Sequence, residues 1–113
     1  MMKVEAIIRT EKLGAVKTAL EEVGVHGMTV YEVSGRGEQK GLEFTHRAGK
    51  FRIDMLPKTK IEIVIKDSLV KTVIEAVCKS ARTGEVGDGK IFVLDLAECI
   101  RIRTGERGGT AIG

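Results

Sequence analysis

Gly84, Gly87 and Gly89 precede Lys90 within TGEVGDGK, and Arg101 and Arg103 follow a short apolar run in RIRTGE. Glycine takes φ > 0 at little steric cost, so the backbone N–H groups of such a turn can converge on one anion. Lys90 adds a mobile ammonium. Arg101 and Arg103 are two residues apart, so an extended backbone over Cys99–Arg103 sends both guanidinium groups to the same side. Parallel guanidinium groups repel unless an anion lies between them, and their fork matches phosphate oxygens. A polyphosphate is therefore the simplest partner for this set, although a glycine-rich surface turn followed by two solvated arginines accounts for the spacing about as well. The turn is not a P-loop: no G-x-x-x-x-G-K-[ST] occurs, and Lys90 is followed by Ile91.

The elements that must carry these residues follow from periodicity. Lys3 to Arg9 reads as a strand with Val4, Ala6 and Ile8 on one face and Ile7 on the other. Leu13, Val16, Leu20 and Val23 then form a helical stripe over 11–23, with Thr10 as N-cap and Gly24 as terminator. Met28 to Gly35 returns to strand. Lys60 to Lys66 is a further strand with Ile61, Ile63 and Ile65 on one face. A second helix, N-capped by Asp67 and stopped by Gly84, carries Val70, Val73, Ile74, Val77 and Ala81. Lys90 to Leu94 is the fourth strand, and a short fifth is expected near Ile100–Arg103. The order βαββαβ predicts an α+β, ferredoxin-like antiparallel sheet with both helices on one face.

The connection from Arg36 to Pro57 is anomalous, because a ββ connection ordinarily needs about two to five residues. Its mixture of charges and scattered apolar residues, without Ser/Pro bias, predicts a mobile recognition loop. The alternation of Phe51, Ile53 and Met55 also allows a two-stranded ribbon, and the two readings are compatible.

Composition bounds the functional classes. A chain of 113 residues with 42% hydrophobic and 31% charged content is read as a single domain over 1–113, of a size at which a second subunit often completes the core. Its 19 basic residues are offset by 16 acidic ones, so a net charge of +3 permits nucleic-acid contact without arguing for it. Cys78 and Cys99 lack C-x-x-C spacing, which makes a disulfide scaffold and a zinc site unexpected and a reducing cytoplasm the expected compartment. Both cysteines read as small core residues. His26 and His46 are not spaced as metal ligands. No stretch reaches the roughly 18 apolar residues of a membrane span. No Ser, Cys or Thr has a recognisable base partner, so no catalytic constellation is expected.

Taken together, VGVHGMTVYEVSGRGEQKG at Val23–Gly41, LPKTKIEIV at Leu56–Val64, ARTGEVGDGKIFV at Ala81–Val93 and RIRTGER at Arg101–Arg107 resemble the PII signal-transduction proteins over essentially the whole chain. The resemblance implies a homotrimer that binds ATP or ADP in clefts between neighbouring subunits, with residues 37–55 as the output segment, the T-loop. By that resemblance, Gly35, Gly37, Gly87, Asp88, Gly89 and Lys90 would surround the phosphates, and Arg101 and Arg103 of a neighbour would close the site. Thr29, Glu62 and Val64 would meet adenine and ribose. The family also senses 2-oxoglutarate, with Gln39 at the position of a Mg²⁺ ligand and Lys58 at the position that pairs with the distal carboxylate. Mg²⁺ demands near-ideal octahedral oxygen ligands at about 2.0–2.1 Å, so a Gln on a loop joins only once metal, triphosphate and acid are assembled. Loss of the γ-phosphate then biases the loop toward another state.

Glu38 departs from the pattern, since relatives often carry an arginine there directed at the phosphates. A carboxylate beside a triphosphate is unfavourable unless it turns to solvent or meets the metal. Phe51 and Gly49 stand where relatives carry a modified tyrosine or serine, so neither modification is available at those positions. Arg47 matches the arginine that enters the pore of an ammonium transporter in transporter-regulating relatives, which would make a transporter or a nitrogen-assimilation enzyme the partner, and the membrane reachable only through it. Two other classes share parts of this reading. An RNA-binding module shares the βαββαβ order but needs aromatics on its inner strands, and a slow ATPase would need a base that the sequence does not supply.

Overall fold

Alternation in MKVEAII makes a strand with one apolar side, and the computed structural model, which describes residues 1–36, 42–46, 49–53 and 55–112, builds β1 over Met2–Ile8 with Val4, Ala6 and Ile8 buried. Helix α1 (Leu13–Glu22) follows a short 3-10 turn over Thr10–Lys12. Strand β2 (Thr29–Gly35) precedes a hairpin of β3 (Leu42–His46) and β4 (Gly49–Ile53), then come β5 (Leu56–Ile65), α2 (Val70–Ala81) and β6 (Lys90–Asp95). The sheet order is β2-β5-β1-β6 with every neighbouring pair antiparallel, as the βαββαβ reading requires. The paired β3 and β4 lie within the segment read as the T-loop, where the alternation around Phe51 allows a ribbon.

Both helices lay their apolar stripes on one face of the sheet. Val16 and Leu20 of α1 and Val73, Val77 and Ala81 of α2 close over Ile61, Ile63 and Ile65 of β5 and the buried side of β1. Each large apolar side chain removed from water in this way stabilises the fold by about 1.5–3 kcal/mol. The core therefore fixes β1 and β5 as the central strands, and their alternate residues face away from the helices.

Several local expectations are corrected. Thr10 is not an N-cap: it opens the 3-10 turn, and its hydroxyl meets that of Thr59 at 3.2 Å. Asp67 likewise begins a 3-10 turn, and its carboxylate pairs with the N-terminal amine at 2.8 Å. Helix α2 ends at Ala81, with Arg82 already extended, so Gly84 belongs to the following turn and does not terminate the helix. Strand β5 begins four residues earlier than the sequence pattern indicates, because Leu56–Thr59 pair with the end of β2. The expected fifth strand is absent as a strand: Ile100 and Arg107 form an isolated bridge, and the residues between them turn.

Candidate functional site

The turn between α2 and β6 has the three expected left-handed glycines, with φ of 92° at Gly84, 105° at Gly87 and 100° at Gly89. The anion in its concavity is one of its own residues. The Asp88 carboxylate accepts hydrogen bonds from the Thr83 hydroxyl at 2.5 Å and from the Thr83 and Gly84 backbone N–H groups at 2.9 Å each. These donors, the Thr83 hydroxyl foremost, hold the Asp88 carboxyl well below the ordinary carboxylate range. The expectation that this stretch of backbone faces an external anion is thus corrected for Thr83 and Gly84. The turn offers a ligand the part that follows Asp88, leading into Lys90.

Two side chains from the sheet hold this turn. Arg9, just beyond the end of β1, donates through Nε to Asp88 Oδ1 at 3.1 Å and through Nη2 to the Val86 carbonyl at 2.8 Å. Lys58 donates from Nζ to the Gly87 carbonyl at 2.5 Å. Burial lowers the Lys58 pKa, and the Arg9 charge lowers it further. Lys58 also borders a cavity of about 430 Å³ walled by Thr10, Glu32, Val33, Ser34 and Pro57. The resemblance names Lys58 for an acid and not for this turn, and sequence reasoning missed Arg9, which stands alone between a strand and a helix with no spacing to mark it.

Thr29, Glu62 and Val64 lie on the sheet face away from the helices. Thr29 is directly opposite Glu62, and Val64 is opposite Lys3. Lys3 Nζ lies 3.1 Å from both Glu5 and Glu62, and Lys60 Nζ lies 3.6 Å from both, so four charges alternate in a square on this face. Pairing with Lys3 lowers the Glu62 pKa, while Glu62 and then Glu5 raise that of Lys3. Lys60 also sits 5.3 Å from the centroid of the Tyr31 ring. Gly35 ends β2 opposite Leu56, and Lys90 begins β6 opposite Ile7. One chain therefore brings Lys58, Gly87, Asp88, Gly89 and Lys90 together at one end of the sheet and sets Thr29, Glu62 and Val64 on its open face.

Arg101 and Arg103 are not on one face of a strand. The Arg101 N–H and carbonyl bond to the Glu106 carbonyl and the Gly105 N–H, closing a turn over 101–106. The Arg101 guanidinium reaches Glu106 at 3.3 Å and the Thr110 carbonyl at 3.4 Å, while Arg103 is exposed. The cause is local: Thr104-Gly105 supplies a left-handed glycine, φ 74°, where a strand would need extension. Gly37, Glu38, Gln39 and Arg47 lie outside the described residues.

Cys78 is exposed, which corrects its assignment to the core: the buried stripe of α2 runs through Val73, Val77 and Ala81, and Cys78 stands beside it. Cys99 is half-buried. Among the described residues no group of three or more His, Cys, Asp or Glu could hold a metal, and no helix is long and apolar enough to cross a membrane. The central strands carry no aromatic. Tyr31 and Phe92 face the open side from the edge strands, with charged Lys3, Glu5, Lys60 and Glu62 between them, which is a poor platform for stacking bases.

Residues 1–106 match the family described as Nitrogen regulatory protein P-II. Nitrogen regulatory protein P-II 2 of Methanothermobacter thermautotrophicus is 57% identical over 112 residues, covering 99% of this chain and 97% of that protein. Nitrogen regulatory protein P-II 1 of Escherichia coli K12 is 52% identical, covering 99% of this chain and all of its own length. The fold also matches a solved Arabidopsis thaliana PII bound to citrate, with a TM-score of 0.80 and 44% identity over 97% of this chain and 90% of that one. With residues 1–106 matching the family and relatives more than half identical over 99% of the chain, the chain belongs to the P-II nitrogen regulatory protein family.

Proposed function

We propose that the chain is a cytoplasmic signal-transduction regulator that binds ATP or ADP at the glycine turn and acts on a target through the segment 37–55. The observation that carries this reading is the convergence of Lys58, the Gly87–Gly89 backbone and Lys90 at one end of the sheet, a fixed cationic rim around a turn held open from below by Arg9 and Asp88. Such a rim would meet phosphate oxygens with ammonium groups and backbone N–H donors. Thr29 and Glu62, neighbours across β2 and β5, offer a hydroxyl and a strand backbone to a nucleoside.

The open face supports assembly. Its neutralised charge square is flanked by Tyr31, Val64, Phe92 and Leu94, and the last two are each 44% exposed in the single chain. A homotrimer burying this face would bring a neighbour's Arg101 and Arg103 toward the turn, where they would complete the phosphate site. Gln39 would help to hold Mg²⁺, which when bound would supply positive charge for oxygens of the triphosphate and of 2-oxoglutarate. Lys58 would meet the distal carboxylate of the acid. That a relative binds citrate, a small polycarboxylate, is consistent with acid recognition in this family. Target binding, to an ammonium transporter through Arg47 or to a nitrogen-assimilation enzyme, would follow the state of the T-loop.

Titration calorimetry with ATP, with ADP, and with Mg-ATP plus 2-oxoglutarate tests this reading. Both nucleotides are expected to bind with dissociation constants well below millimolar, that is, with more than about 4 kcal/mol of binding free energy. Failure of both to do so would overturn it.

A further inference from the structure

We infer that Arg9 is a positioning residue for the phosphate turn, tying it to the sheet through Asp88 and Val86 and so setting the direction in which the Gly87–Lys90 backbone meets a ligand. The inference rests on the nucleotide-binding reading and adds to it that Arg9, which touches no ligand there, sets how strongly the turn holds the phosphates.

A turn with three left-handed glycines has little intrinsic rigidity, since each glycine gives up much conformational freedom to hold one shape. Asp88 fastens the turn to itself by bonding back to Thr83 and Gly84. Those bonds fix its internal shape but not its placement. The close approach of Gly89 to Ile7 seats the end of the turn on β1, and Arg9 anchors the limb before it: one planar guanidinium satisfies the Asp88 carboxylate through Nε and the Val86 carbonyl through Nη2. A lysine, with one point charge, could not hold both acceptors in a fixed mutual geometry.

The packing around the guanidinium agrees. A β-carbon added to Gly87 would stand 3.1 Å from Arg9 Nη2, so the glycine backbone lies against the arginine head. The Arg9 side chain is 23% exposed and its Asp88 partner 25%, a partly shielded pair whose attraction is screened less than that of a free surface pair. On the far side of the turn Lys58 holds the Gly87 carbonyl. Asp88 offsets part of the repulsion between Arg9 and Lys58, whose charges act on each other across the turn.

The test uses the full chain with Arg9→Gln, Arg9→Lys, Asp88→Asn and the double variant Arg9→Gln, Asp88→Asn. ATP, ADP and adenosine are titrated by calorimetry, and amide hydrogen exchange is followed in the turn and in β5. Arg9→Gln should weaken ATP binding by roughly tenfold or more while leaving adenosine binding unchanged. Arg9→Lys should fall between, and the double variant should bind no worse than the weaker single one. Exchange at Gly87 and Gly89 should accelerate with β5 unaffected. Unchanged ATP affinity in Arg9→Gln, an equal loss for adenosine, fully additive losses or unaltered exchange would each overturn the inference. If the wild type binds no nucleotide, the proposed function falls together with the phosphate part of this inference, and the exchange data still decide whether Arg9 holds the turn.

Discussion

Gly89 passes so close to Ile7 that a β-carbon on it would stand 1.7 Å from the Ile7 carbonyl oxygen. This contact brings the glycine turn against the end of β1 and starts β6 in register, Lys90 opposite Ile7. Its φ of 100° adds a second reason for glycine.

Gly89→Ala should therefore be far worse than Gly84→Ala, which has a similar φ but open space around it. The left-handed conformation alone costs an alanine about 1–2 kcal/mol. The backbone clash at Gly89 should carry the loss beyond about 3 kcal/mol. Thermal denaturation of both variants checks the ordering; equal losses would mean that the turn moves freely away from β1.

Lys58 gives a prediction about the acid. Lys58→Met removes the ammonium that bonds the Gly87 carbonyl and that would meet the distal carboxylate of 2-oxoglutarate. It should abolish the strengthening of Mg-ATP binding by 2-oxoglutarate while adenosine still binds. If ATP strengthens 2-oxoglutarate binding in the wild type, the acid must strengthen ATP binding by the same factor. Calorimetric titration in both orders measures it. If position 38 faces the phosphates as the resemblance implies, Glu38→Arg should tighten triphosphate binding in the same titration.

How far the sequence reveals this structure depends on whether a feature is periodic. The stripes through Val4, Ala6 and Ile8, through Val16 and Leu20, and through Val73, Val77 and Ala81 are legible because burial on one face repeats with the period of the element. The positive φ of Gly84, Gly87 and Gly89 is legible because little else tolerates it. Arg9 is illegible: its partners Val86 and Asp88 are 77 and 79 residues away and nothing local marks the pairing. That Asp88 turns inward was also hidden, because a side chain and a ligand compete for the same N–H donors and spacing does not say which wins. Alternation misled at Arg101 and Arg103, where Gly105 permits the tight turn that Glu106 closes.

The charge square yields a test of assembly. Lys3→Glu would gather like charges with Glu5 and Glu62, both within 3.1 Å of the present ammonium. Sedimentation equilibrium should show the proposed trimer for the wild type and smaller species for Lys3→Glu, and the added change Glu62→Lys should restore assembly in part. A trimer indifferent to Lys3→Glu would place the interface elsewhere.

Asp88 predicts an acid limb. Its folded pKa is depressed, so the unfolded chain binds the proton first and stability rises with pH between the folded value and the unfolded one, near about 4. Wild type should exceed Asp88→Asn in melting temperature by a constant margin from neutrality down to about pH 4, and the margin should shrink on further acidification. A margin independent of pH down to about 2 would show that the charge of Asp88 is not what the turn uses.

The central claim is that each nucleotide is held by two copies of the chain, the glycine turn of one and the arginines of the next. Lys90→Ala and the double variant Arg101→Ala, Arg103→Ala should each bind ATP poorly alone. When the two are unfolded together, refolded as mixed assemblies and titrated with ATP, a fraction of the sites should regain wild-type affinity, because some seams then pair an intact turn with intact arginines. Mixed assemblies that bind no better than the separate variants would contradict the account.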